Sequence, residues 1–414
     1  MEKKIIENLI FEKIPSLLLI LLPLSLITGP FISDLSVSII AIIFILKCLI
    51  KNNYSYFKNK FFKYFIFFYI VCLLSSLLSE YKLISSIKSF FYFRFGFFAL
   101  SVLYLLSENK KLLDYIFYSL FLSFLVLIFD GFFQYFYGKN IIGLVKHDVR
   151  VSSFFGEELI LGSYLSRFLP ILIGVFYLTS FVNKKHNVFF FLIVIILSIA
   201  LIFLSGERTA FFLTILSLVY IILMPNEHSK KIITISILAT CLIVFLNINN
   251  PAIKVRMFDY TKDQLGLSNK NVESTRIYKG HFLVAKDLFI ENPILGVGPK
   301  NYVQHCYKNE KFQILPYVCS THPHNTYIQL LAETGLVGTS TILLLFIFFS
   351  YYSLKHIYYK LFKKVKLFNF SEICLLSSIL ITLWPFITSG NFFNNFLSII
   401  YFYPIGILMW LRKN

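Results

Sequence analysis

The stretch NKKHNVFFFLIVIILSIALIFLSGERTAFFLTILSLVYIILMPNEHSKK, residues 183–231, holds two apolar runs, lysines at both outer ends and one polar turn in the middle. A membrane span needs roughly 20 mainly apolar residues, so the pair reads as a helical hairpin whose lysine-bearing ends face one side. The joining turn, SGERTA at 205–210, faces the other side and carries Arg208. Working outward from this hairpin, the same criterion finds about twelve windows. They lie near 14–31, 34–50, 62–79, 91–106, 113–137, 160–182, 188–205, 209–224, 232–247, 325–352, 371–389 and 395–411.

Composition agrees with an all-α, polytopic membrane bundle. Mean hydropathy is +0.74, with 57% hydrophobic and only 14% charged residues, which excludes an ordinary soluble fold. The net charge of +18 would point to nucleic acid in a soluble protein. Here it sits in short loops between apolar runs, so it reads as topology and contact with anionic membrane lipids, and no nucleic-acid partner is expected. The first apolar run follows MEKKIIENLIFEK without a small-residue cleavage site and reads as a retained span.

Lysine and arginine counts set the orientation. The N-terminus and the connections at 51–63, 107–111, 183–186, 226–231, 355–366 and the C-terminal LRKN are lysine-rich and alternate with the rest. They are expected to be cytoplasmic, which puts both termini inside. Of the 39 Lys and Arg, seven are arginine, and Arg94, Arg150, Arg167, Arg208, Arg256 and Arg276 fall on the opposite, outward side. Rigid, always-charged guanidinium forks placed against the usual charge bias point to an anion such as a phosphate. Arg208 and Arg276 each begin a helix, the end where a cation opposes the macrodipole, so both read as ligands more than struts. Glu207 supplies the bland alternative of a local ion pair. Arg94 and Arg167, at the outer ends of spans, read first as snorkelling cations; Arg150 and Arg256 read either as a second tier of anion contacts or as simply solvated charges.

The outward side has one large segment, 248–323, so the chain divides into spans over 1–247, this loop, and further spans over 324–414. Within the loop, STRIYKGHFLVAKDLFI at 274–290 repeats apolar residues at Tyr278, Phe282, Ala285 and Phe289 as an amphipathic helix would. Ser274 or Thr275 can cap its start, and ENPILGVGP at 291–299 ends it. No separate soluble domain is expected. Cys306 and Cys319 share the loop, where a disulfide or two free thiols remain open. The segment STHPHNTYIQLLAETGLVG at 320–338 closes it. Pro323 suits a first helical turn, which places His324 and Asn325 at an outward helix N-terminus, where an imidazole is kept neutral and an anion is attracted. His322 is a secondary candidate. The His-Pro-His run is too short for a metal site, and Asp259, Asp263 and Asp287 form no motif, so neither metal nor other cofactor is expected.

These motifs resemble the O-antigen ligase and polymerase superfamily. His324 and Asn325 followed by nine residues and Gly335, the SGERTA turn, STR at 274–276 and NPILGVGPKNY at 292–302 carry the resemblance. It implies a GT-C-like fold of about 12 transmembrane helices in the bacterial inner membrane. It also implies transfer of a glycan from undecaprenyl diphosphate to lipid A-core oligosaccharide on the periplasmic face, with His324 as base and Arg208 and Arg276 on the diphosphate. Arg256 is a looser match, and Glu207 stands where the family usually has Ser. The alternatives are an O-antigen or polysaccharide polymerase using a second carrier-linked glycan, a protein O-oligosaccharyltransferase and, from another class, a solute transporter. The last would need ionisable groups near the midplane, for which Lys47, Asp130 and Arg167 are the candidates.

Overall fold

A computed structural model describes residues 2–248, 251–264, 273–313 and 318–413. The described residues are helical apart from loops and two isolated β-bridges. In chain order the principal helices are α1 (Ile14–Ser25), α2 (Pro30–Ile50), α3 (Lys60–Leu78), α4 (Phe93–Glu108), α5 (Leu112–Tyr137), α6 (Leu161–Phe176), α7 (Lys185–Leu204), α8 (Arg208–Leu223) and α9 (Ser229–Ile248). They continue with α10 (Glu273–Glu291), α11 (Thr326–Phe362), α12 (Phe370–Thr382) and α13 (Asn395–Lys413).

Each of the apolar windows holds a helix, and α10 lies in the large loop. Among the described residues, length and apolarity nevertheless support only eight crossings outright, one of them the continuous stretch Lys82–Glu108 that includes α4, with α6, α8 and α12 as shorter apolar helices. The expected number of twelve is therefore not established. The window at 371–389 shows why: α12 stops at Thr382, ahead of Trp384-Pro385, because a proline disfavours helical backbone in the residue before it. Residues 383–394 instead fold back toward the 320–326 segment.

The connections sort into two ends. At one end Lys51 pairs with Glu7 at 2.5 Å, Lys366 with Glu227 at 2.9 Å, and Lys413 lies over the Tyr56 ring. All of these belong to the lysine-rich set, and both termini are there. The arginine-bearing turns gather at the other end, described below. Between the ends the helices share a core rich in Phe and Leu. Since lipid is as apolar as leucine, hydroxyl pairs add specificity: Ser217 to Ser377 at 2.8 Å and Tyr220 to Ser353 at 2.7 Å.

One long helix is broken. In α11, Gly335 has φ 62 and ψ −163, and a Cβ there would lie 2.3 Å from the Ile294 carbonyl oxygen. The backbone groups freed by the break are met by the segment at 293–298. Leu336 N donates to Pro293 O and Val337 N to Ile294 O, while Val297 N and Gly298 N donate to Ala332 O and Glu333 O. Broken backbone inside a membrane protein persists only where protein satisfies it in this way. The run NPILGVGP, expected only to stop α10, is the patch that does so.

Helix α10 packs on α11. Its buried stripe is His281, Val284, Ala285 and Leu288, whereas Phe282 is exposed. The buried face is thus rotated from the one read off the sequence, because the small apolar residues, not the aromatics, fit against Val297, Tyr302 and Ala332. Cys306 and Cys319 are joined by a disulfide. The loop therefore has a small apolar core of its own, beyond the single amphipathic helix expected. The proposed caps Ser274 and Thr275 lie outside the described side chains.

Candidate functional site

Two turns at the arginine-bearing end build the site. In the first, α7 passes to α8 through Ser205, Gly206 and Glu207. Gly206 has φ +66, and a Cβ on it would sit 2.9 Å from Arg256 Nε and 3.0 Å from Arg150 Cγ. Only glycine lets both guanidinium stems press on this turn. Arg256 Nε donates to the Gly206 carbonyl at 3.0 Å. Arg150 donates through Nε to Ser205 O at 3.3 Å and through Nη2 to Leu159 O at 3.0 Å. The loop carrying Arg150 is tied down from α5, where Gln134 accepts from Ser152 N and Ser153 N and Asp130 accepts from Ile141 N and the Ser153 hydroxyl.

Arg208 opens α8 beside these two. Glu207 does not neutralise it. That carboxylate turns instead to the start of α6, accepting from Gly162 N at 2.6 Å, Ser163 N at 3.0 Å and Ser163 Oγ at 2.7 Å, where a negative charge is favoured. Arg208 Nη1 is buried and has no hydrogen-bond partner among the described residues. A buried donor left unmet costs about 1–3 kcal/mol. Burial, then the neighbouring Arg256 and Arg208 charges, push the Arg150 pKa down against the opposing pull of Glu207. Burial likewise raises the Glu207 pKa, opposed by its bonds to Ser163 and Gly162 and by the Arg150 charge.

The second turn precedes α11. Asn325 is its N-cap, accepting from Tyr327 N at 3.0 Å and Ile328 N at 3.1 Å, while its amide donates to Pro385 O and Ile387 O. Pro323 therefore lies outside the helix and not in its first turn. His324, one residue ahead of the cap, has φ +54, a left-handed conformation costing on the order of 1–3 kcal/mol. Its ring is half-buried, with centroids of His322 at 4.2 Å, His281 at 5.2 Å and Tyr278 at 5.9 Å. Burial, followed by the His281 charge, lowers its pKa to about 4, so His324 is neutral near pH 7. Desolvation replaces the helix dipole as the principal cause. His322 is lowered to about 3 by burial and by His324. Both its ring nitrogens are engaged, with Thr321 Oγ1 at 2.9 Å and Ser389 O at 3.1 Å, which makes it a support. His281 is held by Val318 O at 2.6 Å. Among the described residues no group of three or more His, Cys, Asp or Glu is placed to hold a metal ion.

The two turns are joined. The Thr209 and Thr388 hydroxyls are 2.6 Å apart; the next residue, Ser389, donates its N–H to the His324 carbonyl at 2.9 Å and shares a hydrogen bond with Thr326 at 2.9 Å. Tyr278 faces both sides, acting electrostatically on Arg208 and touching the His324 ring. Arg276 lies one half-turn earlier on α10, with its side chain outside the described residues.

Of the arginines read from the sequence, the structure thus gathers Arg150, Arg208 and Arg256. Two others stand apart. Arg94 does not snorkel: it pairs with Asp34 at 2.7 Å and with Asn395 at 3.1 Å. Arg167 is buried, 4% exposed, about 9 Å along α6 from its start. The midplane candidates for transport are also engaged, Lys47 with the Tyr104 hydroxyl and Asp130 in the loop anchor. The sequence reading missed Tyr278, His281, Thr388 and Ser389. The short polar break TSGN at 388–391 was the available signal for the last two.

The fold and this site define a polytopic helical membrane protein with a cationic, histidine-bearing mouth. Residues 192–343 match the family model described as O-Antigen ligase, so this part of the chain is similar to ligase- and polymerase-type membrane glycosyltransferases. The matched region runs from within α7 to just beyond the Gly335 break and so includes Arg208, Arg256 and His324. No curated protein matches the chain.

Proposed function

We propose that the protein transfers a glycan from undecaprenyl diphosphate to lipid A-core oligosaccharide at the periplasmic face of the bacterial inner membrane, within a GT-C-like bundle whose termini are both cytoplasmic. The observation that carries this reading is the unmet Arg208 donor, set beside Arg150 and Arg256 and linked through Thr209, Thr388 and Ser389 to a neutral His324. Arg208, Arg256 and Arg150, with Arg276, hold the donor diphosphate. Asn325 and His322 support His324.

In the reaction, a ring nitrogen of His324 takes the proton from an acceptor hydroxyl. The oxygen forms the new bond to the anomeric carbon of the glycan, and the bond from that carbon to the diphosphate oxygen breaks. The departing diphosphate carries the electron pair, and fixed guanidinium groups stabilise this developing charge more than water does. An imidazole with a pKa near 4 is a weak base by itself. A bound anion nearby favours its protonated form and moves it toward the useful range.

Deletion of the gene in its host tests the assignment. A ligase leaves all lipid A-core uncapped while long glycans remain on the carrier. Single-unit caps would assign the polymerase reaction instead, and unchanged lipopolysaccharide with an unglycosylated protein would assign the protein acceptor.

A further inference from the structure

The turn between α1 and α2 and the starts of α2, α6 and α13, with the segments near Phe155 and Asn391, enclose a cavity of about 330 Å³, at the small end of ligand cavities. Its lining combines apolar residues, among them Leu26, Phe155 and Leu397, with Arg167 and the exposed Glu158. Arg167 Nη1 donates to Ser163 O at 3.2 Å, but its Nε is buried without a partner among the described residues. Among the described residues the arginines in ion pairs are Arg94 and Arg412; Arg167 is not one of them. Glu207 acts electrostatically on Arg167 but is not bonded to it; a buried cation without an ion pair is costly, and an ionisable group within a membrane bundle marks a ligand site by default.

The cavity adjoins both halves of the site. Ser163 lines it and holds Glu207, the neighbour of Arg208. Gly390 and Asn391 line it and follow Ser389, which bonds to His322 and His324. Arg167 thus lines a cavity distinct from the Gly206 turn yet bordered by residues bonded to both turns.

We propose that this cavity receives an anionic sugar of the acceptor, its phosphate or carboxylate on Arg167 and its hydroxyls toward Glu158, so that the hydroxyl to be glycosylated is delivered toward His324. The assignment rests on the transfer reaction proposed above. An amphipathic acceptor suits a cavity lined by apolar residues together with Arg167 and Glu158.

Direct binding to the purified full-length protein in nanodiscs tests it without requiring turnover. The probes are a hexose phosphate, the neutral hexose and glycerol phosphate. The hexose phosphate should bind about tenfold or more tightly than the neutral hexose, the worth of one charged hydrogen bond. Arg167→Gln should abolish that preference and Arg208→Gln should keep it. Thr28→Trp, at an exposed position on the cavity wall, should block the hexose phosphate even if Arg167→Gln does not fold. Equal binding of charged and neutral sugars, or dependence on Arg208 and not Arg167, would overturn the proposal. Glycerol phosphate binding as tightly as the sugar would overturn it too, in favour of a lipid headgroup. Loss of transfer activity with this binding pattern intact would instead count against the reaction, since binding is read separately.

Discussion

The hydroxyls of Thr209 and Thr388 lie 2.6 Å apart, and this contact ties the arginine turn to the segment that supports His324. An intramolecular hydrogen bond of this kind contributes about 0.5–1.5 kcal/mol. Thr209→Val and Thr388→Val should each slow transfer about tenfold, and the double variant should be no slower than either, because both remove one link. Additive losses in a transfer assay would show that the two residues act independently.

Arg208→Gln and Arg208→Lys should both reduce transfer by on the order of 10²-fold, as loss of one preorganised donor does, with membrane insertion unchanged. Lysine cannot replace a planar fork. Wild-type rates in the lysine variant would reduce the role of Arg208 to a point charge.

The histidine cluster makes stability depend on pH. The folded-state pKa is about 4 for His324 and about 3 for His322, against an ordinary 6.5. Between these values the unfolded chain binds more protons, so stability is fully present above about pH 6.5 and is lost as pH falls through that window. Melting temperatures of wild type and His322→Phe should therefore converge or cross on going from pH 7.5 to pH 4. Parallel curves would mean that His322 is not buried neutral.

Gly335→Ala should destabilise by more than about 2 kcal/mol, since alanine is strained at φ 62 and its Cβ would meet the Ile294 carbonyl. Leu336→Ala next to it, exposed by 54%, is the control. Equal melting temperatures for the two would refute the docking of 293–298 on the α11 break.

Reduction of Cys306–Cys319 should lower stability by roughly 3 kcal/mol, by freeing the unfolded loop. The measurement is a melting curve with and without reductant. Cys306→Ser/Cys319→Ser should melt at the reduced temperature and no longer respond.

Much of the fold was legible because the bilayer imposes its own period. Each apolar run holds a helix, eight of them among the described residues long and apolar enough to cross a membrane, and the ion pairs Lys51–Glu7 and Lys366–Glu227 each join two lysine-rich connections. Helix ends were less legible. The window at 371–389 is apolar throughout most of its length, yet Trp384-Pro385 ends α12 early and releases Thr388 and Ser389 to the site.

The sequence by itself determined that the chain is a polytopic helical bundle and that Arg208 and His324 stand at its arginine-bearing end, because hydropathy and charge bias are local properties read one loop at a time. Only the tertiary structure decided which arginines serve together. Arg94 found Asp34 and Arg167 was buried beside a separate cavity, while Arg150 and Arg256 converged on Gly206. Residue type and expected outward side were alike for all of them. What separates an ion pair from an unmet guanidinium is the partner brought from a distant part of the chain, and that is set by helix packing.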